Sequence, residues 1–281
     1  MSWQPAAADD GERLAAFLRR DEVSCAAASS RVKAGDRGCT AYLDETDGAI
    51  RGALVATTAG LVLPVLPQGA GDRAGLAALL GGFRMPVHSI MGAEAGVATV
   101  EAAMPLPPTT RIEYRLMNLS REGWAGPAAH ANSAAAATGV RVRRSGPGDA
   151  ARLFPLQRAY ELEEVVLDPA LFRDAACLKL LRQGLREELV FHAARDDRPL
   201  AKAGTNARGY GVDQIGGVYT VPSERGRGLA RIVMAALLEA IFAEKPVACL
   251  FVKKGNGPAI ALYERLGFAT VGGYVISYYG L

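Results

Sequence analysis

Residues Val221 to Ala230 read VPSERGRGLA, and two glycines spaced by one residue stand where a strand-like stretch passes into an amphipathic one. Gly226 and Gly228 can take backbone angles closed to other residues, so that successive N–H groups point at one spot. The first turn of a helix adds N–H groups without intrahelical partners and the positive end of the helix dipole. Together they suit an anion the size of a pyrophosphate. Arg225 and Arg227 bring side-chain charge to the same place. A glycine turn before a helix also serves as a plain turn, and the segment alone leaves both readings open. It is not a P-loop, because no Gly-Lys-Ser/Thr follows. It also lacks the G-x-G-x-x-G spacing of a dinucleotide-binding turn.

The preceding strand, VDQIGGVYTV, carries Gly216-Gly217 in its middle. Glycine inside a strand marks a bulge, a close approach of another backbone, or simple packing. A bulge here would splay this strand from the next. An extended, amide-bearing ligand such as pantetheine would then lie against the open edge like an added strand.

At this point the residues resemble a known family. Arg225-Gly226-Arg227-Gly228-Leu229-Ala230 resembles the Q/R-x-x-G-x-G/A pyrophosphate motif of the GNAT superfamily of N-acetyltransferases. NGPAIALYERLGF, Asn256 to Phe268, resembles that family's N-x-x-A-x-x-x-Y-x-x-x-G-F segment, with one helix and one strand between the two motifs. QIGGVYTVPSERGRGLA is similar to a subset of bacterial tandem proteins, in which a weakly matching acetyltransferase-like domain precedes an intact one. The resemblance implies an α/β (α+β) fold of two GNAT-like domains, each a mixed, mostly antiparallel twisted sheet flanked by helices. It implies acetyl-coenzyme A as co-substrate, no metal, and an amine acceptor on a small molecule or a protein. The positions carried over for coenzyme A are Val218, Tyr219, Thr220, Arg225, Gly226, Arg227, Gly228, Leu229, Ala230, Asn256, Ala259 and Tyr263. In the first half the nearest counterpart of the cradle is Gln68-Gly69-Ala70-Gly71-Asp72-Arg73. Arg73 replaces the last small residue and Asp72 repels phosphate, so this half reads as a degenerate copy that shapes the substrate site or a homodimer.

The reaction implied is attack of an amine on the thioester carbonyl, much of whose rate comes from holding the reactants together. Backbone N–H groups near Val218 would polarise that carbonyl. Tyr263 is carried over as the general acid for the leaving thiolate; a free tyrosine has a pKa of about 10 and keeps its proton at neutral pH. Packing on the final helix is its other reading. Asn256 would orient pantetheine or cap the helix. Some relatives have a glutamate where Gln214 stands, and Gln cannot accept a proton. A water chain ending at Glu163 or Glu164 is the substitute, although two adjacent acids also suit a solvated face. Tyr219, Tyr278 and Tyr279 are further acceptor-site candidates. The alternative to an enzyme is a non-catalytic acyl-coenzyme A-binding regulator, and a longer acyl group such as succinyl stays open.

These groups need elements to hold them. VRVRR (Val140 to Arg144) is a strand, and Gly148-Asp149 introduces a helix through Leu153, Leu156, Tyr160 and Leu162. A second helix covers Phe172 to Leu185. Strands follow at Leu189–Ala194, Pro199–Gly204 and Val212–Val221. Leu229, Ile232, Val233, Ala236, Leu237, Ala240 and Ile241 form the i, i+3, i+4, i+7 stripe of a helix from near Gly226 to Ala243. The chain closes with a strand (Val247 to Val252), a helix (Pro258 to Leu266) and a strand (Val271 to Tyr279). The first half is less regular. A helix face at Leu14, Phe17 and Leu18 precedes a hairpin, Cys39–Leu43 and Ala49–Thr58, turning at Asp47-Gly48. Leu61–Leu66, Val87–Gly92 and Arg111–Leu119 read as strands, and Ala74–Leu80 as a helix. GWAGPAAHANSAAAATG, Gly123 to Gly139, reads as a linker between domains at 1–122 and 140–281.

Of the 281 residues half are hydrophobic, enough for a packed core, and the net charge of +3 comes without a basic run. Nucleic-acid binding is not expected. The three histidines and four cysteines show no metal-ligand spacing. The first residues carry acids where a signal peptide carries bases, and no apolar run reaches a membrane span. The expectation is a cytoplasmic protein without a membrane partner.

Overall fold

The computed structural model describes residues 3–67, 72–130 and 139–280. In the first half a short strand β1 (Gln4–Pro5) precedes helices α1 (Gly11–Leu18) and α2 (Glu22–Lys33). Strands β2 (Cys39–Thr46), β3 (Ala49–Thr57) and β4 (Leu61–Val65), helix α3 (Arg73–Gly81), strand β5 (Ser89–Ala93), helix α4 (Glu94–Glu101) and strand β6 (Thr110–Ser120) follow. Asp47 and Gly48, with φ of 51° and 74°, make the tight turn between β2 and β3. The second half runs β7 (Arg141–Arg144), α5 (Ala150–Tyr160), α6 (Asp174–Glu187), β8 (Val190–Arg195), β9 (Arg198–Arg208), β10 (Val212–Thr220), α7 (Leu229–Glu244), β11 (Val247–Lys253), α8 (Gly257–Arg265) and β12 (Ala269–Tyr278). With β1 and β7 set aside, both halves repeat one order: two helices, three strands, then helix, strand, helix, strand.

All these strands join one twelve-stranded sheet, ordered β1-β2-β3-β4-β5-β12-β6-β11-β10-β9-β8-β7. The pairs β4·β5 and β10·β11 are parallel and the other pairs antiparallel. The order is symmetric about the central pair β6·β12, where Tyr114 stands opposite Tyr274. Each half therefore places its last strand in the other: β6 lies between β11 and β12, and β12 between β5 and β6. The repeated order of elements falls on either side of 123–139, and one sheet runs through both halves. Residues 131–138 of that segment, like 68–71 of the first-half cradle counterpart, lie outside the described residues.

The halves are also clasped at one turn. The Glu22 carboxylate accepts from the backbone N–H groups of Tyr210 (2.6 Å) and Gly211 (2.7 Å) in the β9–β10 turn. Lys33 donates to the carbonyl of Gly209 and Lys245 to that of Tyr210, each at 2.7 Å. A Cβ on Gly209 would collide with the Glu22 carboxylate.

Burial explains the helices. In α7, Val233, Leu237, Leu238 and Ile241 are fully buried against Leu189 and Leu250 of the sheet. Helix α2, absent from the sequence reading, buries Cys25, Ala26, Ala28 and Ser29. Its residues are small on every side, so no apolar stripe distinguishes it, and its closeness to both β4 and β9 supplies what propensity does not. Helix α4 also went unread; Gly96 lets it approach Pro64 of β4.

Candidate functional site

Between β9 and β10, Gly216 pairs with Gly204, and the next pair is Tyr219 with Lys202, so β10 carries one extra residue. The bulge falls at Gly217-Val218, and Gly217 has φ of 61°. Gly216 is glycine for space, because a Cβ there would collide with the Asn206 amide. Asn206 accepts from Nε2 of Gln214 at 2.8 Å, and Gln214 is buried. The parallel pairing of β10 with β11 covers only Val212–Ile215 and Val247–Leu250. Both strands continue past it, to Thr220 and Lys253, and a gap opens between them.

The gap leads to the glycine turn. A 3-10 turn, Pro222–Glu224, is followed by Gly226 and Gly228, both at φ of 75°. Gly228 is the N-cap of α7, and no side chain caps that helix end. Space around Gly226 is open, and Arg225, Gly226 and Arg227 are exposed. Leu229 is anchored in the core and Ala230 is half-buried. Glu224 is held by Arg195 and by Arg227, each at 3.1 Å. Arg225 turns back toward the sheet: its Nε donates to the carbonyl of Thr220 (3.1 Å), and its Nη2 reaches both oxygens of Glu163 (2.7 and 2.8 Å). The buried hydroxyl of Thr220 has no hydrogen-bond partner among the described residues.

On the other side of the gap, α5 runs into a π-helical turn at Glu161–Val165, a widening that often marks functional sites. It presents Glu163 to Tyr219, whose hydroxyl donates at 2.9 Å, and Glu164 to Lys253, at 3.1 Å. Burial pushes Glu163 up, but the hydrogen bonds from Arg225 and Tyr219 outweigh it and leave the carboxylate below the usual glutamate range. Both acids are thus ion-paired rather than merely solvated. Tyr263 on α8 is buried and packs edge-on against Phe268, 6.0 Å between ring centres. Burial raises its pKa, and the neighbours adding to that are Tyr160 and Glu164 from across the gap. Asn256 caps α8, accepting from the N–H of Ala259 at 3.2 Å. Val218, Ala259 and Tyr263 pack on the same core as α7. Tyr278 is half-buried, whereas Tyr279 belongs to the first-half core with Trp3 and Leu76.

One neighbour of the bulge went unread in the sequence. Lys202 on β9 is buried, donates from Nζ to the carbonyl of Gly217 at 2.8 Å, and lies 4.6 Å from the centre of the Tyr160 ring. The available signal was a lysine flanked by Leu200, Ala201, Ala203 and Gly204, a charge inside an apolar strand.

Residues 154–268 match the family model described as the acetyltransferase (GNAT) family. Solved structures match over nearly the whole chain. A Drosophila protein does so with a TM-score of 0.69 and 14% identity, covering 98% of each chain. A tandem GNAT protein from the clavulanic acid biosynthesis pathway matches at 0.60 and 17% identity, covering 98% of this chain and 97% of its own. The fold is that of the GNAT acetyltransferases. A GCN5-related N-acetyltransferase from Kribbella flavida matches at 0.62 and 18%, over 92% of this chain and 96% of its own. No curated protein matches the chain by sequence. At these identities the shared property is the GNAT fold, and the family model lies on the half that holds the gap and the glycine turn. Among the described residues no cluster of His, Cys, Asp and Glu could hold a metal, and no helix is long and apolar enough to cross a membrane.

Proposed function

We propose that the protein transfers an acetyl group from acetyl-coenzyme A to an amine, on a small molecule or a protein, in its second half. The observation that carries this is the gap between β10 and β11 opening onto an uncapped helix end with two left-handed glycines. The gap suits the extended pantetheine, and the turn at Gly226–Gly228 suits the pyrophosphate. Arg227, paired with Glu224, and Arg225, paired with Glu163, are the nearby cations.

The amine nitrogen attacks the thioester carbonyl carbon, with the Val218 N–H facing the developing oxyanion. The carbon–sulfur bond breaks, and the sulfur takes a proton from the Tyr263 hydroxyl. The new ammonium loses its proton to water near Glu164, and a proton from solvent returns the Tyr263 oxygen to the hydroxyl. Burial raises the Tyr263 pKa, so the hydroxyl holds its proton at neutral pH. Gln214, bonded to Asn206 in the interior, takes no part.

In this reading the first half binds no coenzyme A. Asp72 already caps α3, accepting from the N–H of Ala74 at 3.0 Å, which puts a carboxylate where a phosphate would sit. Strand β4 pairs with β3 in unbroken register, and where its pairing with β5 stops, after Val62 and Ile90, Pro64 lies against Gly92.

Calorimetric titration with acetyl-coenzyme A tests this, with one site per chain expected. Gly228→Val should abolish that site, because a β-branched residue is strained at this φ and covers the N–H groups. Tyr263→Phe should retain binding while acetyl transfer to a panel of amines falls about 10²-fold or more. Binding with no transfer in either form would support the non-catalytic regulator, which the absence of a carboxylate at Gln214 favours. No binding at all would sink both readings.

A further inference from the structure

A bulge leaves the carbonyl and N–H of its extra residue without ladder partners, and a buried orphan must find another. At Gly217 the partners are side chains. The carbonyl accepts from Lys202 Nζ at 2.8 Å, and the N–H lies against the hydroxyl of Tyr160. Lys202 itself is nearly inaccessible, at 5% exposure. Among the described residues no carboxylate lies within ion-pair distance of it; the Tyr160 ring face and the Gly217 carbonyl are what it touches. A buried ammonium without a counter-ion is destabilising, and ordinary strand packing calls for none.

In a trans peptide the carbonyl of one residue and the N–H of the next point in opposite directions, and this chain has no cis bond. Fixing the Gly217 carbonyl toward Lys202 therefore fixes the Val218 N–H away from Lys202. We infer that Lys202 is a positioning residue for acyl transfer: it pins the Gly217–Val218 peptide so that the Val218 N–H is aimed at the thioester carbonyl. This rests on the acetyl-coenzyme A reading above. Glycine at 217 is required by its φ of 61°, and a Cβ there would stand 2.8 Å from Lys202 Nζ and displace it. Tyr160 supports the ammonium from the opposite side with its ring face.

The test is infrared spectroscopy of acetyl-coenzyme A labelled with carbon-13 at the thioester carbonyl, bound to the full chain. An N–H donated to that oxygen lowers its stretching frequency relative to the free thioester. In the wild type a lowered stretch is expected. In Lys202→Met the affinity should stay within about threefold, since the glycine turn is untouched, while most of the frequency shift is lost. Gly217→Ala, which displaces the ammonium from the other side, should do the same and replaces Lys202→Met if that variant does not fold. A variant that binds with the full shift overturns the proposal and leaves the acetyl-coenzyme A reading standing. A wild type that binds with an unshifted carbonyl also overturns it. A wild type that does not bind overturns both.

Discussion

Arg225 is one side chain with two claims on it. In the structure its Nη2 donates to both oxygens of Glu163, a partly exposed pair with 46% and 40% of each side chain accessible. Such pairs contribute roughly 0.2–1 kcal/mol. If a pyrophosphate takes Arg225, that much must be given up. Glu163→Gln should therefore tighten acetyl-coenzyme A binding about two- to fivefold in a calorimetric titration; a loosening would mean that Glu163 holds Arg225 in place for the phosphate. Lys202 gives a prediction in pH. Burial draws its pKa down to about 8, with Glu161 opposing, whereas an unfolded lysine titrates near roughly 10.4. Between those values the unfolded chain binds the extra proton, so the wild type gains stability as pH rises through this window. Below it the cost of the buried ammonium is present in full. Lys202→Met should accordingly be more stable than the wild type at pH 7 in urea denaturation, with the advantage shrinking from pH 8 to 10. The buried tyrosines are common to both proteins and cancel. A constant difference across that range would mean that Lys202 keeps an ordinary pKa.

At the level of elements, legibility follows how a residue's burial shows in the pattern. The order of the second half could be read because its helices carry a helical apolar period and its strands end at glycines and charged turns. Leu229, Val233, Leu237 and Ile241 of the α7 stripe are buried, but Met234, Ala235, Leu238 and Phe242 beside them are buried as well, and the Gly216-Gly217 pair does mark a bulge. Helix α2 was unreadable for the opposite reason: between two parts of the sheet, its Ala, Ser and Cys residues need no polar face. The glycine turn was legible as geometry, with positive φ at both glycines. Its arginine was not, since nothing in a local sequence says that Arg225 faces a glutamate sixty-two positions away. Lys202 depends in the same way on Tyr160 and Gly217 from two other elements. Asn256 shows the reverse: capping the helix was one of its two readings from the sequence, and the structure has it as a cap.

At the level of the molecule, the exchange of β6 and β12 removes the independence that a linker suggests. A piece covering 140–281 would leave β11 and β12 with an open edge each where β6 should lie, and exposed edges invite aggregation. Residues 1–130 would lack β12 between β5 and β6. Each piece alone should fail to give a cooperative thermal transition by circular dichroism, while the two expressed together should give a soluble complex with one transition. A cooperative melt from either piece by itself would show that the exchanged strand is dispensable. The same arrangement bears on how the chain is made. β6 leaves the ribosome before either of its neighbours exists, and it must wait through the synthesis of α5, α6, β8, β9, β10 and α7 before β11 arrives. Throughout that interval both of its edges are open, and the first half cannot close. Translation that stops short of β12 thus spoils the half already made as well as the one in progress, and a nascent chain of this kind depends on being shielded until β12 emerges.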